Sequence, residues 1–145
     1  MEKLIAQMKV VQASVFALYL KAHNFHWNVE GPNFSQYHSF LDGLYNEWWT
    51  SVDAIAEEIR STRSYAPGSF SRFKELSVVE DEVNIPTAMS MLAKLRDDNA
   101  KVIEELVKAR QYAEDAKAFG LVNFFEDRID KHYKNDWMLR AITRS

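Results

Sequence analysis

Residues 33–61 read NFSQYHSFLDGLYNEWWTSVDAIAEEIRS. Phe40, Leu44, Trp48, Val52, Ile55 and Ile59 recur at threes and fours, the period of an amphipathic helix, with Asn33 as its candidate N-cap. The same stretch carries His38, Asp42, Asp53 and Glu57. His38 to Asp42 and Asp53 to Glu57 are i,i+4 steps, so each pair projects from one face on successive turns. Eleven residues separate Asp42 from Asp53, which keeps all four within an arc of about 100° yet sets the pairs about 16 Å apart along the axis. No single metal ion spans that distance. Two copies of the helix, packed antiparallel about a two-fold axis near Glu47, bring His38 and Asp42 opposite the partner's Asp53 and the partner's Glu57. With His26 just upstream, five candidate ligands fall in a 32-residue window. Their spacing points to a site shared between two chains and present twice per dimer.

Composition narrows what such a site can hold. The chain has 145 residues, 47% hydrophobic and 27% charged, which fits one globular domain, residues 1–145, with an ordinary core. No apolar run approaches the roughly 20 residues of a membrane span, and MEKLIAQMKVV opens an amphipathic helix instead of a signal peptide. The expectation is a cytoplasmic protein without a membrane partner. The absence of cysteine excludes disulfides, thiolate ligands and Cys nucleophiles. A metal must then be held by His, Asp and Glu, a donor set suited to iron, manganese or zinc. A net charge of -3 gives no general pull toward nucleic acid.

Only four Gly and three Pro punctuate the chain, which implies long helices. A first helix is expected from Glu2 to Asn28, with Ile5, Met8, Val11 (or Ala13), Val15, Leu18 and Ala22 inward, before Gly31-Pro32-Asn33 interrupts it. From Thr62 to Ile85 the pattern weakens; a short helix, Ser69 to Leu76, is expected there with Phe70 and Phe73 as its apolar face. A third long helix follows Pro86, from Thr87 to Lys117, on Met89, Leu92, Leu95, Val102, Leu106 and Ala109, and Gly120 separates it from a fourth, Leu121 to Ile142. Twenty-odd residues is long for a link between antiparallel neighbours. It suits a crossover between two helix pairs, so the fold class is all-α, a ferritin-like four-helix bundle with a short helix in the crossover between helices two and three.

Lys21 to Arg60, KAHNFHWNVEGPNFSQYHSFLDGLYNEWWTSVDAIAEEIR, carries H-N-F-H-W-N, G-P-N-F, H-x-x-x-D and D-x-I-A-E in order. Together these elements resemble the Dps family, the mini-ferritins. The likeness continues through SYAPGSFSRFKELS, residues 64–77, to WMLRA at Trp137 to Ala141. The resemblance implies a hollow dodecamer with di-iron ferroxidase centres at two-fold interfaces. Each centre takes His26, His38 and Asp42 from one subunit, with the partner's Asp53 and the partner's Glu57. It further implies ferrous iron as substrate, hydrogen peroxide as the usual oxidant with oxygen beside it, and ferric mineral stored inside so that Fenton radicals are suppressed. Trp27 matches the family tryptophan beside the centre, an electron donor on that reading and interface packing on the other. Zinc is a substitute occupant, since affinity discriminates poorly among these metals.

Other residues are read more plainly. His23 is expected to support the site or the structure; Glu47, near its own copy, to point aside or pair with a cation; Trp48, Trp49 and Tyr45 to pack. Glu126, Asp127, Asp130 and Asp136 form an acidic stretch, either a funnel for ferrous iron or ordinary surface. Counting back from Trp137 puts Tyr133, Ile129 and Phe124 or Asn123 where the family commonly has acids. His132 receives no role. Family members that condense DNA often use a Lys/Arg-rich tail; Lys3, Lys9, Arg140 and Arg144 are too few for one, so DNA binding by that route is not expected. The alternative is a DNA-binding or structural shell with little ferroxidase activity. Loss of a ligand would favour it, and all five are present. A hydrolytic zinc site finds no H-E-x-x-H-like signature.

Overall fold

The structure is a computed structural model describing residues 1–144. It is all-helical: α1 (Glu2–Asn28), α2 (Phe34–Ser61), α3 (Phe70–Leu76), α4 (Ala88–Asp115) and α5 (Phe119–Thr143), with no strand among the described residues. α1 packs on α2 and α4 on α5; α1 also meets α4, joining the two pairs, and α3 lies on α1. The four long helices and the short crossover helix match the number and order expected from the sequence.

Each boundary has a local cause. Gly31 adopts φ +117°, which a Cβ disfavours, and this lets the chain reverse between α1 and α2. Ser69 and Thr87 cap α3 and α4 by accepting from the N–H groups of Arg72 and Ser90. Asn33 occupies the N-cap position of α2, but its side chain makes no capping bond. Gly120 is not a break: it lies inside the first turn of α5. The reversal falls instead at Lys117, whose φ of +57° ends α4 in a left-handed turn.

The core is the seam of the bundle. Leu4, Met8, Val11, Val15, Leu18, Ala22 and Phe25 form the buried stripe of α1, against Leu41, Leu44, Trp48, Ile55 and Ile59 of α2. Leu4, not Ile5, starts that stripe, and Met89 is exposed while Met91 is buried. Phe70 is likewise exposed, and only Phe73 of α3 turns inward, stacking on Phe16 with ring centroids 4.5 Å apart. α1 also holds the crossover by polar bonds, from Gln12 Nε2 to the Pro67 carbonyl and from the Val78 N–H to Ser14 Oγ, both 3.0 Å.

α1 corrects one expectation. By length and composition it is long and apolar enough to cross a membrane. The reason lies in its place in the fold, because α1 meets α2, α3 and α4 and so needs apolar surface on several sides. Its buried side also carries Lys21, which is paired with Asp98 of α4 at 2.7 Å.

Candidate metal centre

The turn at Gly31 folds the end of α1 back on the start of α2, and two histidines meet there. The rings of His26 and His38 stack with centroids 3.8 Å apart and planes 16° from parallel. His26 Nδ1–H donates to the His38 carbonyl at 2.8 Å, and His38 Nδ1–H donates to the His26 carbonyl at 2.7 Å. The bond to His26 uses a carbonyl in the last turn of α1, where helical partners run out. With each Nδ1–H engaged by a carbonyl, Nε2 is the nitrogen of each ring that could bind a metal ion. Asp42 Oδ1 lies 4.0 Å from His26 Nε2, with the Asp42 side chain half exposed.

Asp53 and Glu57 stand further along α2, both exposed to solvent. The Asp53 carboxylate, by accepting a hydrogen bond from the protonated Glu57 carboxyl and by its charge, lifts the Glu57 pKa above its ordinary value. Like charges on successive turns repel, and a cation between them would relieve that repulsion. A groove of about 440 Å³ lined by Trp49, Thr50, Val52, Asp53 and Ala56 runs beside them. Among the described residues of one chain, no three His, Asp or Glu side chains converge into a metal-binding group. His26, His38 and Asp42 gather where α1 meets the start of α2, and Asp53 and Glu57 stand apart from them further along α2.

Aromatic side chains surround the histidine half. His23 stacks on Tyr45 at 3.8 Å and against Trp27 at 3.9 Å, and its Nδ1 is 2.9 Å from the Tyr19 hydroxyl. Burial first, and then the neighbouring His26, lower the His23 pKa below its ordinary value. Tyr45 also reaches His26, with centroids 5.1 Å apart, and Phe34 covers His38 at 5.0 Å. Trp27 is 60% exposed in the single chain. The i,i+4 spacing of Tyr19 and His23 was visible in the sequence, but nothing in the sequence placed Tyr45 between His23 and His26.

A second polar cluster crosses the bundle behind α2. Arg128 of α5 donates to both oxygens of Glu47, at 2.9 and 2.7 Å, and its Nη2 lies 3.1 Å from His132 Nε2. His132 Nδ1–H donates to Asn99 Oδ1 at 2.7 Å, and Asn99 Nδ2 donates to the His132 carbonyl at 2.9 Å. Burial first, and then the Arg128 charge, push the His132 pKa down to about 3. His132, without a role in the sequence reading, is therefore a neutral connector from α5 to α4. The acids of α5 are engaged as well: Glu126 with Arg110, Asp127 with Lys131, Asp130 with Lys134, and Asp136 with Arg140.

The ferritin-like domain family matches residues 5–145, and the chain belongs to that family. Within it, the chain falls among the Dps proteins. It is 32% identical to DNA protection during starvation protein 2 of Bacillus anthracis, over 86% of this chain and 85% of that one. The solved structure of Dps from Staphylococcus aureus is 27% identical and superimposes with a TM-score of 0.95, covering 100% of this chain and 97% of the other. Dps from Vibrio cholerae O1, described as a member of a broad superfamily of ferritin-like diiron-carboxylate proteins, gives a TM-score of 0.95 over 99% of this chain and 90% of that one. At 21% identity that last likeness speaks for the fold.

Proposed function

We propose that this chain is a mini-ferritin that oxidises ferrous iron at di-iron centres shared between two copies and stores the ferric product inside a homo-oligomeric shell. The observation that carries the reading is the reciprocal pinning of His26 and His38, which leaves both Nε2 lone pairs free beside Asp42. That half-site is short of carboxylates, and Asp53 and Glu57 lie on the same helix at a spacing that suits an antiparallel partner. The diiron-carboxylate description of the Vibrio cholerae relative agrees with this donor set.

Ferrous iron is the substrate. The partner's Asp53 and the partner's Glu57 give the tighter position, and the histidine nitrogens with Asp42 hold the neighbouring ion. With hydrogen peroxide as oxidant, each of two ferrous ions gives one electron, and two protons complete two waters. Oxygen serves as a second oxidant, and zinc competes for the same donors. Trp27, next in sequence to His26, is a reserve electron donor. The shell is a dodecamer, as in the family, acts in the cytoplasm and leaves DNA free.

The test is anaerobic ferrous loading followed by peroxide or oxygen, read by ferric absorbance, with Asp53→Ala and Glu57→Ala as controls. Both variants are expected to lose rapid oxidation, and wild-type rates in both would overturn the assignment. Mixing a His38→Ala chain with a Glu57→Ala chain tests sharing, because activity returns only if centres cross the chain boundary.

A further inference from the structure

His132 Nε2 and both oxygens of Glu47 face the same group, the guanidinium of Arg128. Its Nη2 is 2.7 Å from Glu47 Oε1 and 3.1 Å from His132 Nε2, and its Nη1 is 2.9 Å from Glu47 Oε2. Arginine offers donors only, so Nε2 accepts and carries a lone pair in place of a proton. The far side of the ring agrees, because Asn99 Nδ2 donates to the His132 carbonyl and leaves Oδ1 to accept from His132 Nδ1–H. A neutral imidazole oriented through Nδ1–H beside a carboxylate is a donor pair that binds divalent metals. Here a side chain fills the place of the ion.

The acids elsewhere in the bundle interior are matched in the same way. Among the described residues the two buried acids, Asp98 and Glu105, hold Lys21 at 2.7 Å and Lys108 at 3.1 Å. Of these three pairs, the one made by Arg128 alone includes a histidine.

We infer that Arg128 determines where this chain takes up metal: its guanidinium occupies a divalent-cation position between Glu47 and His132 and keeps metal out of the bundle interior. A guanidinium does not give up its proton in a protein, so the charge is permanent. An incoming ion meets that charge at contact distance and finds both donors engaged. Without the side chain, a carboxylate and an imidazole remain, aimed at one point and short of a cation. A metal ion needs each donor at about 2.0–2.2 Å, so each moves inward by about 1 Å or less. Iron, zinc and cobalt suit such a pair, with water filling the rest of the space that Arg128 leaves. The inference rests on the proposed ferroxidase reading in one respect, that metal kept out of the bundle is left for the shared centre.

The experiment titrates cobalt(II) into an Asp53→Ala/Glu57→Ala chain, whose shared centres are disabled, with and without Arg128→Gly. Bound cobalt is read by equilibrium dialysis and visible d–d absorbance. Arg128→Gly is expected to bind one cobalt(II) per chain beyond its parent, and His132→Asn to abolish that increment. Asn99→Ala, which frees the ring to turn, is expected to weaken it about 10–100-fold. Guanidinium at millimolar strength, too dilute to unfold the chain, is expected to compete by refilling the position. If Arg128→Gly does not fold alone, cobalt(II) is expected to restore its melting transition, since an ion that binds only the folded chain stabilises it. A folded Arg128→Gly chain that binds no more cobalt than its parent, an increment that survives His132→Asn, or an unfolded chain that cobalt fails to restore overturns the inference. So does cobalt in the parent that His132→Asn removes, because Arg128 would then not exclude it. Ferric absorbance from the chain with intact centres decides the ferroxidase reading separately.

Discussion

Arg128 grips both carboxylate oxygens of Glu47 from across the bundle, and the two side chains are buried to different depths, 6% exposed for Arg128 and 32% for Glu47. Removing one partner of a buried pair costs about 3–5 kcal/mol when the charge left behind cannot reach water. Glu47→Leu strands the guanidinium and should approach that range. Arg128→Met leaves a carboxylate that can turn outward, so its cost should be smaller, about 1–3 kcal/mol. Denaturant midpoints of the two variants check the order.

His132 makes stability depend on pH in a defined direction. Its folded pKa, about 3, lies below the ordinary 6.5, so the unfolded chain takes up a proton where the folded chain does not. The stabilisation is complete above pH 6.5 and is lost as pH falls toward 3, with a slope approaching about 1.4 kcal/mol per unit for this group. His132→Asn should flatten that part of the stability curve measured by urea unfolding between pH 4 and 7.

Lys21 and Asp98 are an almost fully buried ion pair, 8% and 9% exposed, joining α1 to α4. Lys21→Met and Asp98→Leu should each cost about 3–5 kcal/mol, whereas the double variant recovers much of the loss by replacing two desolvated charges with packed carbon. A thermal double-mutant cycle measures the coupling, and simple addition of the single losses would contradict it.

His38→Ala removes a ring that offers one Nε2 and holds the other ring in place. Ferrous affinity should fall by about 10–100-fold or more, read by anaerobic titration. The α1–α2 turn should also lose about 0.5–1.5 kcal/mol from the one hydrogen bond the ring donates, since the His38 carbonyl still accepts from His26.

Lys117 carries φ +57° at the end of α4, a conformation that costs a non-glycine residue about 1 kcal/mol. Lys117→Gly should stabilise the chain by about 0.5–1 kcal/mol, seen as a raised melting temperature.

The long helices were legible because breakers are few and the apolar period is regular over turn after turn. α2 was read to within a residue at either end. What misled was glycine taken as punctuation: Gly120 fits inside α5 because an open first turn tolerates it. The left-handed residue is Lys117, for which the sequence carries no signal. Phe70 looked inward by period, but a seven-residue helix lying on one neighbour covers only Phe73 of its two aromatics, and that one in part. The candidate ligands could be named from spacing, and the structure adds how the two histidines orient each other. That pinning depends on two backbone carbonyls, which no side-chain pattern reveals. The network around His132 stayed hidden for a related reason. Its i,i+4 step from Arg128 was visible, but the contacts with Glu47 and Asn99 span 81 and 33 residues of chain.

The mutual hold of His26 and His38 has an evolutionary consequence. Each ring is aimed by the main chain at the other position, and that carbonyl survives any side-chain substitution there. The two positions can therefore change one at a time: lineages that abandon iron chemistry should pass through single-histidine intermediates in which the remaining ring is still held.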